Sequence, residues 1–168
     1  VKNISCKAVV VDCRPQTNAI HSVFKGNGYY DTTNFQIREV LFANMEDHSH
    51  VREAYDSLKS SFQHGGNFGV LMNWFNLIKV ALDSAILVRD LVLQGDSVIV
   101  NCSDGWDRTP QTCSLAKILL DEHYRTTRGF QTLIQFEWIS FGYHFKSRQA
   151  YQNNPHYAPT FILFLDSV

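Results

Sequence analysis

The chain has 168 residues, of which 45% are hydrophobic and 13% aromatic, so it can bury one domain's core and is not intrinsically disordered. Its formal net charge of −1 excludes the overall positive field that draws proteins to nucleic acid, and any membrane contact has to be local. No uninterrupted apolar run in the sequence reaches the ~18–20 residues of a membrane-spanning helix.

The first half of the chain predicts strands and helices in alternation. Short β-branched apolar runs indicate strands, apolar residues at helical spacing indicate helices, and paired glycines indicate loops. In order, the predicted elements are a strand over Lys7–Val11, a turn over Cys13–Pro15, a loop over Lys25–Gly28, a strand over Ile37–Phe42, a helix from Val51 to a break at His64–Asn67, and a helix over Leu71–Leu93.

The second half begins with a third strand, over Val98–Val100. Thr109 and Pro110 are expected to open a helix, because threonine caps free backbone N–H groups and proline suits the first helical position. A further helix is predicted over Gly129–Glu137, and an apolar element over Phe161–Leu165. Strands that alternate with helices predict an α/β fold, a sheet flanked by helices.

The loop between the third strand and its helix is the most informative stretch. It reads Cys-Ser-Asp-Gly-Trp-Asp-Arg from Cys102 to Arg108. Backbone N–H groups of a loop that enters a helix form an anion cradle, and the helix dipole adds to it. The same field stabilises a thiolate at Cys102, and Arg108 can hold two phosphoryl oxygens in a fork. The pattern predicts a strand–loop–helix phosphate-binding loop and a cysteine phosphatase.

Two other interpretations of the spacing remain open. With four cysteines in the chain, an arginine at the sixth following position arises by chance roughly one time in five. A rhodanese-like sulfur-transfer loop also places a cysteine after a strand, but it does not account for Asp104 and Asp107 inside the loop.

With the following threonine, the loop resembles the signature loop of the myotubularin family without a mismatch over eight residues. Myotubularins are cysteine-dependent phosphatases that remove the 3-phosphate from phosphoinositides. The resemblance extends through Asp12–Pro15, Lys25–Tyr29, Tyr124–Thr126 and Glu137–Gly142. It implies a cysteine-phosphatase-like fold and identifies residues 1–168 as a segment of the catalytic domain, without the family's N-terminal PH-GRAM domain and C-terminal remainder.

The resemblance also implies roles for the loop residues. Cys102 would attack phosphorus, Arg108 would bind the transferred phosphoryl group, and Asp107 would be the general acid. A purely structural role for Asp107, as an acceptor that stabilises the loop, remains open. The other loop residues are expected to bind substrate: Ser103, Asp104, Gly105 and Trp106.

Outside the loop, the resemblance implies four further substrate contacts: Lys25, Asp47, His144 and Arg148. His144 stands where the family usually has Arg or Lys, and Asp47 replaces an Asn, so both departures put the substrate preference in doubt. Asp12 matches a family aspartate that supports the site, either in catalysis or by holding the loop of Arg14.

We therefore expect a phosphoinositide 3-phosphatase that acts on phosphatidylinositol 3-phosphate, with the 3,5-bisphosphate as a second candidate substrate, through a phosphocysteine intermediate. One alternative is a protein tyrosine or dual-specificity phosphatase. The other is a non-catalytic scaffold subunit, and the retained Cys102 and Arg108 disfavour this second alternative. The cysteines show no metal-ligand spacing, so we expect no metal and no cofactor. From the resemblance we expect a cytoplasmic protein, peripheral on endosomal membranes, that forms homo- or hetero-dimers with family members and binds no nucleic acid.

Overall fold

A computed structural model describes residues 7–24, 36–149 and 154–168, and it confirms a mixed α/β fold with a small parallel sheet. The described strands lie in the order β2–β1–β3, where β1 is Ala8–Asp12, β2 is Ile37–Phe42 and β3 is Val98–Asn101. Both pairings are parallel. The central strand is buried on both faces, which explains its uninterrupted run of valines.

Helices surround the sheet, and most of their bounds agree with the prediction to within a few residues. The helix predicted from Val51 begins at His48, and the long helix predicted from Leu71 begins at Phe68. In chain order, the described helices are α1 (Gln16–Phe24), α2 (His48–Gln63), α3 (Phe68–Leu93), α4 (Arg108–Leu120), a 3-10 turn (Glu122–Arg125), α5 (Thr127–Ile134), a π-helix (Gln135–Ser140), α6 (Phe145–Gln149) and α7 (Thr160–Asp166).

Helix α1 is a described element that the sequence pattern does not predict, as are the 3-10 turn and α6. Ala19 is buried, but Ile20 and Phe24 are exposed, so no apolar stripe distinguishes this segment from a loop. Pro15 precedes the helix, where its missing N–H costs no helical hydrogen bond. The loop predicted over Lys25–Gly28 lies outside the described residues.

Helix α3 is long and apolar enough, by length and composition alone, to cross a membrane. Its residues Ala81, Ala85 and Val88 nevertheless pack in the main core with Val9 and Val11 of the central strand. Its first half contributes Trp74 to a second buried cluster. Within this domain, α3 is therefore a core helix that supports one face of the sheet.

The carboxyl ends of the strands meet at one edge of the sheet. Asp12 pairs with Phe42 on one side and with Asn101 on the other. Beyond the strands, the Cys13 N–H donates to the Asn101 carbonyl at 2.8 Å, and the Met45 N–H donates to the Cys13 carbonyl at 2.8 Å. The loops that follow the strands therefore lie together, at the edge where parallel sheets commonly bind ligands.

Candidate active site

Cys102 follows β3 directly, and its side chain is only 6% exposed. Its Sγ accepts hydrogen bonds from the Gly105 N–H at 3.3 Å and from the Thr109 hydroxyl at 3.2 Å. Gly105 reaches this position with a φ of +76°, a left-handed conformation that favours glycine. Two donors directed at one sulfur stabilise negative charge on it.

The start of α4 differs from the prediction. The helix begins at Arg108, with Asp107 at the cap position and no side-chain cap hydrogen bond. Thr109 does not cap the helix, because it lies inside the first turn and its hydroxyl donates to the sulfur. Pro110 also lies in the first turn, not at the first helical position, and there its missing N–H leaves no helical hydrogen bond unmade.

Arg108 is held from two sides and is only 8% exposed. Its Nη1 donates to the Met45 carbonyl at 3.2 Å, and its Nη2 donates to the Ser103 hydroxyl at 3.0 Å. Asn44, just before Met45, has a φ of +54°, which asparagine tolerates better than most residues. The loop after β2 thus sets the direction of the guanidinium beside Cys102.

Asp107 accepts three hydrogen bonds from outside the loop. Arg148 donates from Nε to Oδ1 at 2.9 Å and from Nη2 to Oδ2 at 2.7 Å. The Thr160 hydroxyl donates to Oδ1 at 2.9 Å. The carboxylate raises the pKa of the Arg148 guanidinium above its usual range, chiefly through the hydrogen bond. Helices α6 and α7 therefore fix the orientation of Asp107.

These side chains border a cavity of about 210 Å³ at the carboxyl edge of the sheet. A larger hollow of about 680 Å³ lies between α2 and α3, but among its described lining residues there is neither a cysteine nor an arginine. The smaller cavity is therefore the candidate site. Its lining residues are Arg14, Asn18, Ser22, Asp47, His48, Cys102, Ser103, Asp104, Asp107 and Arg108.

Comparison with known proteins agrees with this geometry. The family model of the myotubularin-like phosphatase domain matches residues 2–168. The chain belongs to this family.

Curated relatives of the myotubularin family match nearly all of the chain. It is 39% identical over 172 residues to the phosphatidylinositol-3,5-bisphosphate 3-phosphatase MTMR6 of Mus musculus, a match that covers 95% of the chain and 27% of the relative. It is 38% identical to the myotubularin of Xenopus laevis, over 96% of the chain and 29% of the relative. It is 38% identical to the phosphatidylinositol-3,5-bisphosphate 3-phosphatase MTMR2 of Pongo abelii, over 95% of the chain and 26% of the relative. The chain thus spans less than a third of these relatives.

Of the three basic residues that the myotubularin resemblance assigns to substrate, His144 and Arg148 contact the loop and are not among the described residues that line the cavity. The His144 ring stacks on Trp106, with ring centroids 3.8 Å apart. Arg148 is buried and, besides Asp107, donates to the His156 carbonyl at 2.9 Å. His144 lies directly before α6 and Arg148 lies within it, so both reach the loop from the same end of this helix. Their direct contact with a phosphate stays a prediction, as does that of Lys25, which lies outside the described residues.

Asp12 and Arg14 form a second aspartate–arginine pair at the site. Arg14 donates from Nε and Nη2 to the Asp12 carboxylate, the shortest contact being 2.6 Å. Asp12 is fully buried, whereas Arg14 lines the cavity. This geometry favours the structural role for Asp12, which is to hold Arg14 beside the loop.

Asp47 caps α2 and also borders the cavity. Its Oδ1 accepts hydrogen bonds from the backbone N–H groups of Ser49 and His50 and from both side chains. Partial burial opposes ionisation, but these hydrogen bonds outweigh it and lower the pKa of the carboxyl. An ionised Asp47 would repel a phosphate, so it suits contact with a hydroxyl group.

Sequence reasoning missed three lining residues: Asn18, Ser22 and His48. Asn18 and Ser22 lie on α1, which no apolar pattern marks. His48 follows Asp47 at the start of α2. An aspartate that caps a helix is a recognisable sequence pattern, and it is the local signal that could have indicated the position of His48. Burial, and then the charge of Arg148, lower the pKa of the His48 imidazole below its usual value.

Proposed function

We propose that the protein containing this chain is a phosphoinositide 3-phosphatase. The observation that carries the proposal is a cysteine sulfur with two hydrogen-bond donors beside a buried arginine, on a loop that follows a parallel strand and enters a helix. This arrangement has the parts of a phosphate-binding loop: a nucleophile, a cationic fork and the positive end of a helix. Family membership supports the reaction type, and two relatives are named phosphatidylinositol-3,5-bisphosphate 3-phosphatases.

In the proposed reaction, the Cys102 thiolate attacks phosphorus, forming a P–S bond while the P–O bond to the inositol ring breaks. Arg108 and the loop N–H groups bind the oxygens of the transferred group, whose charge they neutralise. Asp107 gives a proton to the departing ring oxygen. Water then attacks the thiophosphate, Asp107 takes a proton from it, and the P–S bond breaks to release inorganic phosphate and the thiolate, with the Thr109 hydroxyl, which donates to Sγ, assisting the sulfur.

The contacts of Asp107 leave room for the proton that this mechanism needs. Both of its oxygens accept hydrogen bonds from Arg148, and Oδ1 accepts a further one from Thr160. Among the described residues Oδ2 has no second donor, and a carboxyl oxygen has two acceptor positions. The proton can therefore occupy the second position of Oδ2 while both contacts with Arg148 remain.

We further propose that the full-length protein works in the cytoplasm, peripherally on endosomal membranes, and as a homo- or hetero-dimer with family members. The membrane part follows from a lipid substrate whose headgroup is exposed at a bilayer surface. The resemblance to the myotubularin family is the support for the dimer and for the compartment.

The test is phosphate release by the full-length protein from three substrates: phosphatidylinositol 3-phosphate, phosphatidylinositol 3,5-bisphosphate and a phosphotyrosine peptide. We expect release from the lipids and a kcat/KM for the peptide at least about tenfold lower, because a peptide makes no contacts outside the loop that match an inositol ring. Preference for the peptide would instead assign a protein phosphatase. Release from none of the three would indicate a scaffold.

A further inference from the structure

The walls of the cavity differ in how many of their polar side chains are already hydrogen-bonded within the protein. On the loop side, Ser103, Asp107 and Arg108 all have partners in the protein. Asp104 has none among the described residues, and it is one of the loop residues that the resemblance assigns to substrate binding. Facing the loop are the side chains that α1 and α2 contribute.

On this helical side, two polar side chains line the cavity without a hydrogen-bond partner among the described residues. They are the Asn18 amide, on α1, and the His48 imidazole, on the first turn of α2. Their neighbours in the cavity are engaged: Arg14 with Asp12, and Asp47 with the start of α2. Because neither nitrogen of this half-buried imidazole bonds to a described residue, the ring is available to a ligand in the cavity.

The chemistry of these groups indicates what that ligand would be. Burial lowers the pKa of His48 and so favours the neutral ring, which offers one N–H donor and one acceptor nitrogen. Asn18 also offers a donor and an acceptor, and the ionised Asp47 offers an acceptor. A hydroxyl group donates one hydrogen bond and accepts others, and it matches such groups, whereas a phosphate needs donors alone.

We propose that His48, together with Asn18, recognises hydroxyl groups of the substrate's polyhydroxylated ring. This inference rests on the proposed function, in which the phosphate on Arg108 is attached to such a ring. It deepens that function by assigning phosphate transfer to the loop and ring recognition to the facing ends of α1 and α2.

The experiment compares a substrate that has the ring with one that lacks it. In the full-length protein, kcat/KM is measured for water-soluble inositol 1,3-bisphosphate and for para-nitrophenyl phosphate. We expect His48→Ala to lower the ratio of the two values roughly tenfold, which corresponds to one lost hydrogen bond to a substrate hydroxyl. His48→Asn keeps a donor and an acceptor and should recover part of the ratio.

His50→Ala is the matched control. His50 lies two residues further along α2, does not line the cavity, and has its pKa raised by the hydrogen bond to Asp47. Asp47 keeps its backbone contacts when this ring is removed, so we expect the ratio of the wild type. Equal losses on both substrates in His48→Ala, or an unchanged ratio, would overturn the proposal.

A binding measurement separates this proposal from the proposed function. On a Cys102→Ser background, the Kd for inositol 1,3-bisphosphate should rise about tenfold with His48→Ala and stay constant with His50→Ala. If the wild type releases no phosphate but this difference in binding is found, the reaction is wrong and ring recognition stands. If phosphate is released but the Kd does not change, ring recognition by His48 is wrong and the reaction stands.

Discussion

The two walls of the cavity are built in opposite ways. The loop wall is one contiguous stretch, Cys102–Arg108, whose main reactive side chains are fixed by hydrogen bonds from the segment after β2, from α6 and from α7. The helical wall combines residues of α1 and α2, and within the part of the chain that the structure describes it leaves the side chains of Asn18 and His48 without hydrogen-bond partners. The groups proposed for chemistry are preorganised, whereas the groups that face them keep their hydrogen-bonding capacity for a ligand.

Because the loop wall would serve every substrate, we expect a change to the proposed nucleophile to abolish turnover of all of them. We expect Cys102→Ser to lower kcat by about 10⁴-fold or more on lipid and aryl phosphates alike, because a hydroxyl is not ionised near neutral pH and is a poor nucleophile here. Lipid binding should remain nearly intact. Phosphate release and lipid co-sedimentation measure the two effects, and residual activity above about one hundredth of the wild type would contradict a thiolate mechanism.

Asp107→Asn tests whether the loop wall holds an acid or only an acceptor. An acid matters most when the leaving oxygen is a poor leaving group, so kcat for inositol 1,3-bisphosphate should fall by about 10²–10⁴-fold. The loss on para-nitrophenyl phosphate should be much smaller, because its leaving group departs without a proton. Equal losses on both substrates would mean that Asp107 acts by holding the loop together with Arg148.

Asp12→Asn addresses the buried pair behind the cavity. Removing the charge weakens the contact of Arg14, which lines the cavity, with the fully buried Asp12. Breaking a buried pair costs up to about 3–5 kcal/mol of unfolding free energy. The control is Asp96→Asn, which breaks the exposed Arg38–Asp96 pair and should cost far less. Urea denaturation of both variants measures the difference. A stable Asp12→Asn variant with a lower kcat would instead support the catalytic role.

His144→Arg should have a smaller, substrate-selective effect. An arginine can keep the stacking on Trp106 and extends a charged fork, whereas a neutral imidazole offers one donor. We expect kcat/KM for the 3,5-bisphosphate lipid to rise about five- to thirtyfold relative to the 3-monophosphate, equivalent to ~1–2 kcal/mol. An unchanged ratio would show that His144 serves only to pack against the loop.

The order of oxidation is the mildest test, since it changes no residue. Burial raises the pKa of the Cys13 and Cys113 thiols to about 12, so both stay protonated and unreactive well above neutral pH. Substoichiometric peroxide should therefore oxidise Cys102 first, with a loss of activity that reductant reverses. Mass spectrometry of tryptic peptides separates these three thiols, and earlier oxidation of Cys113 would contradict the proposed loop environment.

Most of the sheet and the loop can be predicted because their signals are local. The valines of β1 and the apolar run of β3 are contiguous, and Cys102 and Arg108 lie six residues apart on one turn. The pairing of Asp107 with Arg148 joins residues 41 positions apart, and no spacing rule relates them. It is set by how α6 packs against the loop.

The helical wall is harder to predict for a related reason. His48 lines the cavity because the loop after β2 and the start of α2 are placed by hydrogen bonds to the segment after β1, such as that of Met45 with Cys13. Thr109 shows the converse problem, since its sequence context suits a helix cap equally well. The position of the Cys102 sulfur decides whether the Thr109 hydroxyl bonds to the helix backbone or to the sulfur.

The π-helix Gln135–Ser140 makes the site sensitive to chain length. Trp138 within it is fully buried, and its Nε1 donates to the Ser114 hydroxyl at 3.0 Å. These contacts fix the rotation of the helix about its axis at Trp138. The Tyr143 N–H, five residues on, donates to the Trp138 carbonyl at 2.8 Å, a wider turn than that of an α-helix. Loss or gain of one residue here would rotate the following chain by about 100° and carry His144 and Arg148 away from the loop. An insertion or deletion in this segment is therefore expected to separate both residues from the loop, whereas a substitution of an exposed side chain leaves the length of the chain, and with it their position, unchanged.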